Sequence, residues 1–554
     1  MIAVLCVVYG AVSFYDLGDR SAPQSFYDLA EGPVSIDMDS PEYIDKLVIY
    51  PSCNDINEDR KLTVSYTDEN GAEGSTVLED CSVFSWNFID FGKTVTNITL
   101  STDYERLMIM EAGLIGENGP LEITSDNPIF DEQTLIPERR TYKNSTYFDE
   151  IYHARTGYEF VQGFSVYEWT HPPLGKAFIA AGIRLFGMTP FGWRFAGNVF
   201  GILMIPLFYA LAKKLFKVTH IAFLTTVLFT FDFMHFVRTR ISTVDVYGTF
   251  FIMLMYLFMY RYYQMSFYDL PLCKTFPPLL LTGIAFGLGA ASKWTAIYAC
   301  AGIAVLFFAV MLVRYNEYYA RRSCGGERLD FAGNFAATGI FCVLVFIIIP
   351  ACIYALSYLP YLGTENTHGI RTVIDNQRDM FVYHSKTVLG SEHPYASRWY
   401  TWPVMVRPIF YYSGTVSDTV REGISAFGNP AVWWVGIGAV ILNVFFTVIY
   451  RDRKSAFLLV GYLSCLLPWI PIERTTYIYH YFPCVPFMVL MIGHCFEKLY
   501  YRHSRAEKKI FICYAAAAVL LFIMFYPVLS GHGAEVNYVD KVLRWFDSWV
   551  LVLD

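Results

Sequence analysis

The chain has 554 residues, of which 55% are hydrophobic, 18% aromatic and only 17% charged, with a net charge of −8 and a mean hydropathy of +0.35. That balance excludes an ordinary water-soluble enzyme and points to one membrane body carrying an appendage. The twelve cysteines form no CxxC pair and no Cys/His ligand spacing, so neither a zinc site nor a disulfide-rich scaffold is expected.

Residues 1–15 are a short apolar start, read as a first transmembrane anchor because no Lys or Arg precedes the run and no small-residue cleavage site follows it. Residues 16–148 carry 26 acidic against 9 basic side chains, a net −17, which leaves +9 for the rest of the chain. Within this acidic segment the runs Lys46–Tyr50, Lys61–Tyr66, Val83–Ile89, Val95–Leu100 and Arg106–Met110 are β-branched or aromatic. They are separated by Asn, Asp, Gly and Glu clusters, so a small extracytoplasmic β-sandwich is expected over 16–140. Its Cys53 and Cys81 leave two readings open, a bridge or two separate buried thiols. The pentapeptide SFYDL stands at 13–17, 25–29 and 266–270, at spacings no structural repeat would give.

Apolar stretches of spanning length follow near 193–215, 220–237, 242–262, 278–294, 296–313, 334–358, 431–450, 455–471, 477–497 and 510–529, which with the anchor makes about eleven transmembrane helices. Cationic loops are retained on the cytoplasmic side. Lys213, Lys214 and Lys217, then Arg261 and Lys274, then Arg314, Arg321, Arg322 and Arg328 mark three of them. Arg451, Arg453 and Lys454 mark the fourth, and Lys498 to Lys509 the fifth. The division expected is an anchor at 1–15, the acidic domain 16–140, an external loop with an interfacial helix at 141–192, and a bundle at 193–358. A second external loop at 359–430 and a C-terminal four-helix region with an external tail at 431–554 complete it.

Chemistry concentrates where the chain meets the bilayer. Asp149 and Glu150 stand before His171-Pro172-Pro173, where the prolines halt any helix ahead of the amphipathic stretch 174–187. A carboxylate there can accept a proton from a hydroxyl, although an Asp-Glu pair on a polar loop is more often solvated surface. Arg238, Arg240 and Asp245 flank a span, Asp245 being five residues after Arg240 and near enough for one helical turn to pair them; Lys293 sits at the end of another. Arg474 precedes Tyr477, Tyr479, His480 and Tyr481: an Arg can hold a phosphate while aromatic rings line an apolar groove, and an aromatic belt with an anchoring Arg is the plainer reading.

These motifs resemble the protein O-mannosyltransferases, most closely their bacterial branch of GT39 type. The likeness rests on Phe148-Asp-Glu-Ile-Tyr-His-Ala-Arg155, Thr170-His-Pro-Pro-Leu-Gly-Lys176, Arg240-Ile-Ser-Thr-Val-Asp245 and Ser292-Lys-Trp294. His393-Pro-Tyr-Ala-Ser-Arg-Trp399, Arg407-Pro408 and Arg474-Thr-Thr-Tyr-Ile-Tyr-His-Tyr-Phe-Pro483 extend it over about 148–554. The resemblance implies a GT-C membrane fold and a glycosyltransferase that moves a sugar, mannose being favoured, from a polyprenyl-phosphate carrier. Transfer would go to Ser or Thr of secreted proteins, or to a glycan acceptor, on the outer face of a bacterial plasma membrane. It implies Asp149 as general base with Glu150 beside it, and His171, Arg240, Asp245, Lys293, Arg474, Tyr479 and His480 as substrate-binding residues. No cofactor and no metal are expected, because the protein's cations can neutralise the phosphate, and no nucleic acid, because the appendage is acidic. The loop 359–430 is too short for the MIR domains of eukaryotic members, and the acidic insert has no counterpart in the family pattern. Two rivals are the same chemistry on a lipid or cell-wall polymer, and a transporter or flippase, against which stands the lack of repeated hydrophobic segments.

Overall fold

The computed structural model describes residues 1–324, 329–387 and 393–553. Arg328 of the third cationic loop, residues 388–392 of the second external loop and Asp554 of the tail lie outside the described residues. The chain divides into two compact units, one of residues 16–168 and 178–196, the other of residues 1–15, 169–177 and 197–554.

The first unit holds the acidic segment. Strands β1 (Tyr27–Asp28), β2 (Val34–Pro51), β3 (Leu62–Asp68), β4 (Glu73–Leu78), β5 (Asn87–Ser101), β6 (Met108–Gly116) and β7 (Gly119–Leu121) pair antiparallel in the order β1-β6-β2-β5-β3-β4, with β7 on β6. The five runs expected from sequence are strands in whole or part, but they share one hydrogen-bonded sheet instead of forming the two layers of a sandwich. The long β2 and β5 shift register at Asp37/Glu42 and Ile44/Lys46. Each shift is an irregularity that raises twist and lets a long strand bend. One continuous sheet can thereby close over the core of Leu47, Ile49, Leu62, Val64, Ile98, Leu100, Ile109 and Leu114. Cys53 and Cys81 are free, buried thiols, each pushed up to about 12 by burial. The same unit contains α2 (Glu150–Gln162).

The second unit is helical. It begins with α1 (Ile2–Phe14); α3 (Leu174–Phe186) and α4 (Pro190–Phe216) each cross the dividing line. There follow α5 (Thr219–Thr230), α6 (Phe233–Arg240), α7 (Asp245–Tyr263), α8 (Leu272–Ser292), α9 (Thr295–Ser323), α10 (Phe331–Val343), α11 (Ile349–Ser357), α12 (Leu359–Leu362) and α13 (Ile370–Val382). The hairpin β8 (Ile409–Thr415) and β9 (Val420–Ala426), joined by β10 (Ala534–Glu535), frames α14 (Pro430–Tyr450), α15 (Arg453–Leu466) and α16 (Val485–Ser530).

All the apolar stretches read from the sequence fall on helices, but among the described residues six are long and apolar enough to cross a membrane, or seven counting the bent pair α5–α6. The shortfall has local causes. The span expected at 242–262 is α7, whose five tyrosines, with Asp245 and Arg261, lower its hydropathy. The anchor α1 has 13 residues and α15 has 14. Two expected spans are the halves of α16, which breaks at His503. The α5–α6 break, bent by 54°, is made by Asp232, whose carboxylate caps α6 at the N–H of Met234 and His235 and also accepts from Asn429 N–H and Trp433 Nε1. A fully buried carboxylate supplied with four donors is satisfied where it stands. Helix α1 is held by Tyr9, fully buried, whose hydroxyl lies 2.9 Å from Thr239 Oγ1 and whose ring stacks on His235.

Candidate active site: a base-bearing helix start and a cationic aromatic cavity

In the first unit, Asp149 is the residue that opens α2; it is half-buried and its side chain does not take the helix's capping hydrogen bond. Phe148, immediately before it, has φ of 49°, a left-handed conformation that non-glycine residues hold only where the surroundings enforce it. The enforcement is visible. Glu150 is completely buried and takes a two-pronged contact from Arg194, with Nε at 2.7 Å and Nη2 at 2.6 Å. The remaining Arg194 donors reach the carbonyls of Leu17, Tyr142 and Ser145. All five guanidinium N–H groups are therefore used, on Glu150 and on the chain that leads into Asp149.

The rest of the motif is similarly engaged. His153 lies 3.7 Å from Glu168, and Arg155 is held by Asp55 at 2.7 Å and Glu159 at 3.0 Å beneath the ring of Tyr167. Burial pushes the Glu159 carboxyl up, and Arg155 opposes that shift. Helix α2 lies close on α3 at Gly157, where a Cβ would come within 2.9 Å of Ile179. Sequence reasoning took Asp149 and Glu150 as a pair; the fold buries one with an arginine that spacing could not reveal and leaves the other half open.

In the second unit, Asp245 starts α7 and is bonded by both Arg238 and Lys293. The pairing expected from Arg240 thus falls to Arg238, which also reaches Thr243 Oγ1 and Tyr411 O–H at 2.8 Å each. Arg240 instead donates to the carbonyls of Ser13 and Tyr15 at the end of α1. Tyr479 lies under Arg238, its ring centre 4.6 Å from the guanidinium carbon, and 5.8 Å from Lys293 Nζ. His480 packs against Trp469 and Trp402 and holds Tyr477 N–H at 3.1 Å.

Beside this cluster is a cavity of about 530 Å³, within the size range of ligand pockets. Its polar wall includes Thr170, His171, Lys293, His384 and Arg474; its apolar wall includes Trp294, Tyr298, Phe381 and Trp469. Arg474 is half-buried, rests near the Trp469 ring at 5.8 Å and has no ion pair among the described residues. His384 takes up position 2.8 Å from the Thr170 carbonyl and packs edge-on to His171. Burial, with His171 and the cations of Arg474 and Lys293 adding to it, pushes its imidazole down to about 4, so at neutral pH it carries no charge. The wall can therefore present Arg474 and Lys293 to an anion and flat aromatic surface to an apolar chain. His384, Trp469 and Tyr411 were missed in the sequence, since no spacing links the segments that carry them; Arg238 was noted beside Asp245 but not as its partner.

Two family models match the chain: "Dolichyl-phosphate-mannose-protein mannosyltransferase" over residues 170–321 and "C-terminal four TMM region of protein-O-mannosyltransferase" over residues 370–549, together more than half of it. A polyprenol-phosphate-mannose–protein mannosyltransferase of Mycobacterium tuberculosis is 25% identical over 477 residues, 76% of this chain and 86% of that protein. One of the same description from Corynebacterium glutamicum is 26% identical over 475 residues, 77% of this chain and 89% of that protein. The Saccharomyces cerevisiae protein O-mannosyltransferase Pmt1-Pmt2 complex bound to the sugar donor superposes with a TM-score of 0.62 at 13% identity, over 73% of this chain and 89% of that one; the likeness is one of fold.

Proposed function

The chain belongs to the protein O-mannosyltransferase family, and from that premise we propose that it moves mannose from a polyprenyl-phosphate carrier to Ser or Thr hydroxyls of secreted proteins. We place the reaction on the extracytoplasmic face of a bacterial plasma membrane. The family and the relatives' names support the sugar, the carrier and the protein acceptor. The single structural observation behind the reading is the cavity in which Arg474, with no ion pair among the described residues, faces aromatic walls. Its charge suits a phosphate and its walls suit the first isoprene units.

The step assigned to these residues balances simply. The acceptor oxygen attacks the anomeric carbon while the carbon–phosphate oxygen bond breaks. Its electron pair leaves with the polyprenyl phosphate, and the acceptor's proton passes to the Asp149 carboxylate. Attack opposite the departing phosphate inverts the anomeric centre. The phosphate is already a good leaving group, so one base suffices, and Arg474 with Lys293 stabilises the charge that grows on it. Glu150, held by Arg194, positions Asp149 and does not touch substrate; Arg240 is assigned to bracing α1.

The test uses the purified chain in vesicles with polyprenyl-phosphate [14C]mannose and a Ser/Thr-rich peptide. Asp149→Asn should lower transfer by about 10²–10⁴-fold, the usual contribution of a positioned base, while donor binding stays unchanged. Transfer at the wild-type rate would remove Asp149 from the chemistry. Label recovered only in lipid or polymer would overturn the protein acceptor.

A further inference from the structure

We propose that Glu111, Asp131 and Glu132 hold a divalent cation of the calcium class in the acidic unit, a site apart from the transfer reaction. One carboxylate oxygen of each residue lies within 4.8 Å of those of the other two. Two bonds of about 2.3–2.6 Å to a shared Ca²⁺ span that separation. The donors are all oxygen, with no His or Cys, which is the ligand set of a hard cation.

Proximity of acids alone proves little, but Glu111 adds an independent sign. It sits on β6 at 0% exposure; its Oε2 accepts the Glu132 N–H at 2.9 Å, while Oε1 has no hydrogen-bond partner. A buried carboxylate oxygen without a donor is costly unless a cation or a proton meets it. Among the described residues none of the three acids has a Lys or Arg partner. Asp131 and Glu132 keep lone pairs for a cation after accepting Ser25 Oγ–H at 2.8 Å and the Gln24 N–H at 2.7 Å. Water and backbone carbonyls would complete the coordination.

Such an ion ties strand β6 to the turn at 131–132, onto which the chain at 24–25 is hydrogen-bonded, ahead of the segment that runs on to Asp149. The inference does not depend on the transfer reaction, and its readout is binding and melting.

The full-length chain in nanodiscs, stripped with EGTA, is titrated with CaCl₂ in a background of MgCl₂. The expected result is one Ca²⁺ per chain and a melting midpoint higher in Ca²⁺ than in EGTA, with no such rise in Mg²⁺ alone. Glu111→Gln should abolish the rise. Asp131→Asn changes an exposed side chain, so the fold persists, and should weaken binding at least tenfold; Glu132→Gln provides the same reading should Glu111→Gln fail to fold. No uptake at millimolar Ca²⁺, uptake indifferent to Asp131→Asn and Glu132→Gln, or an equal rise in Mg²⁺ would overturn the proposal and leave three acids sharing a proton.

Discussion

Arg474 and Lys293 line one cavity, yet they should behave differently when removed. Arg474 makes no ion pair among the described residues, so Arg474→Ala takes away a phosphate contact and little else. Loss of one such charge-stabilising donor costs about 2.7–4 kcal/mol, or ~10²–10³-fold in rate. The chain should melt as before while kcat/KM for the carrier falls by that factor, and Arg474→Lys should restore only part, since an ammonium lacks the guanidinium fork. Lys293 also neutralises Asp245, so Lys293→Ala should lower both transfer and the melting midpoint, the second by exposing a buried carboxylate to a missing partner. Equal melting losses in both variants would contradict this division. The His384 imidazole supplies a pH test. Its folded value near 4 lies below the ordinary 6.5, so the unfolded chain binds the extra proton first, and stability falls as pH drops from about 6.5 toward 4. His384→Gln lacks that linkage, and its melting midpoint should fall less than the wild type's between pH 7.5 and 5. At this scale the sequence singled out Lys293 and Arg474, and the fold brings both to the wall of one cavity. The sequence was not legible where two arginines two residues apart competed, because only the orientation of α6 decides that Arg238 and not Arg240 meets Asp245.

Helix α2 is positioned from behind. Glu150 and Arg194 are both almost completely buried, and the guanidinium also gathers the carbonyls of residues 17, 142 and 145. Removing one member leaves an uncompensated buried charge at a cost of about 3–5 kcal/mol, whereas removing both lifts part of that penalty. Arg194→Met should therefore lower the melting midpoint sharply and reduce transfer. Glu150→Gln/Arg194→Met should melt higher than Arg194→Met alone while remaining slow, because Asp149 has lost its support. A double variant that melts no higher would place the damage in the lost carbonyl contacts instead of the unpaired acid. The three SFYDL copies make a related point about local sequence: one closes α1, one holds β1, and one forms the turn after α7. Identical pentapeptides take the structure their neighbours require, so element type was readable from long apolar or alternating runs and unreadable from short strings. The short strands β1, β4 and β7 escaped notice for the same reason, and the single sheet was hidden because register shifts within β2 leave no mark in composition.

Composition set the acidic segment 16–148, of net −17, apart from a remainder of net +9, whereas the compact unit that holds it runs on to residue 168. What composition could not show is that residues 178–196, which include Arg194, group with the acidic unit. That unit's charge has a consequence for acceptors. Its field reaches about 30 Å at 0.01 M salt and about 3 Å at 1 M, and it favours cationic over anionic approach. Three peptides with the same Ser/Thr core and basic, neutral or acidic flanks should therefore rank in that order by KM at low salt, the basic one lowest, with kcat alike. Raising the salt should bring the three together, because the preference comes from encounter and not from contacts with the hydroxyl. Replacing several exposed acids of the sheet with Asn or Gln should flatten the ranking at low salt while leaving the neutral peptide's KM in place. Peptides that already share one KM at low salt would show that the acidic unit takes no part in acceptor capture. In that event its charge would serve solubility alone, and the preference among acceptors would have to be written in the helical unit.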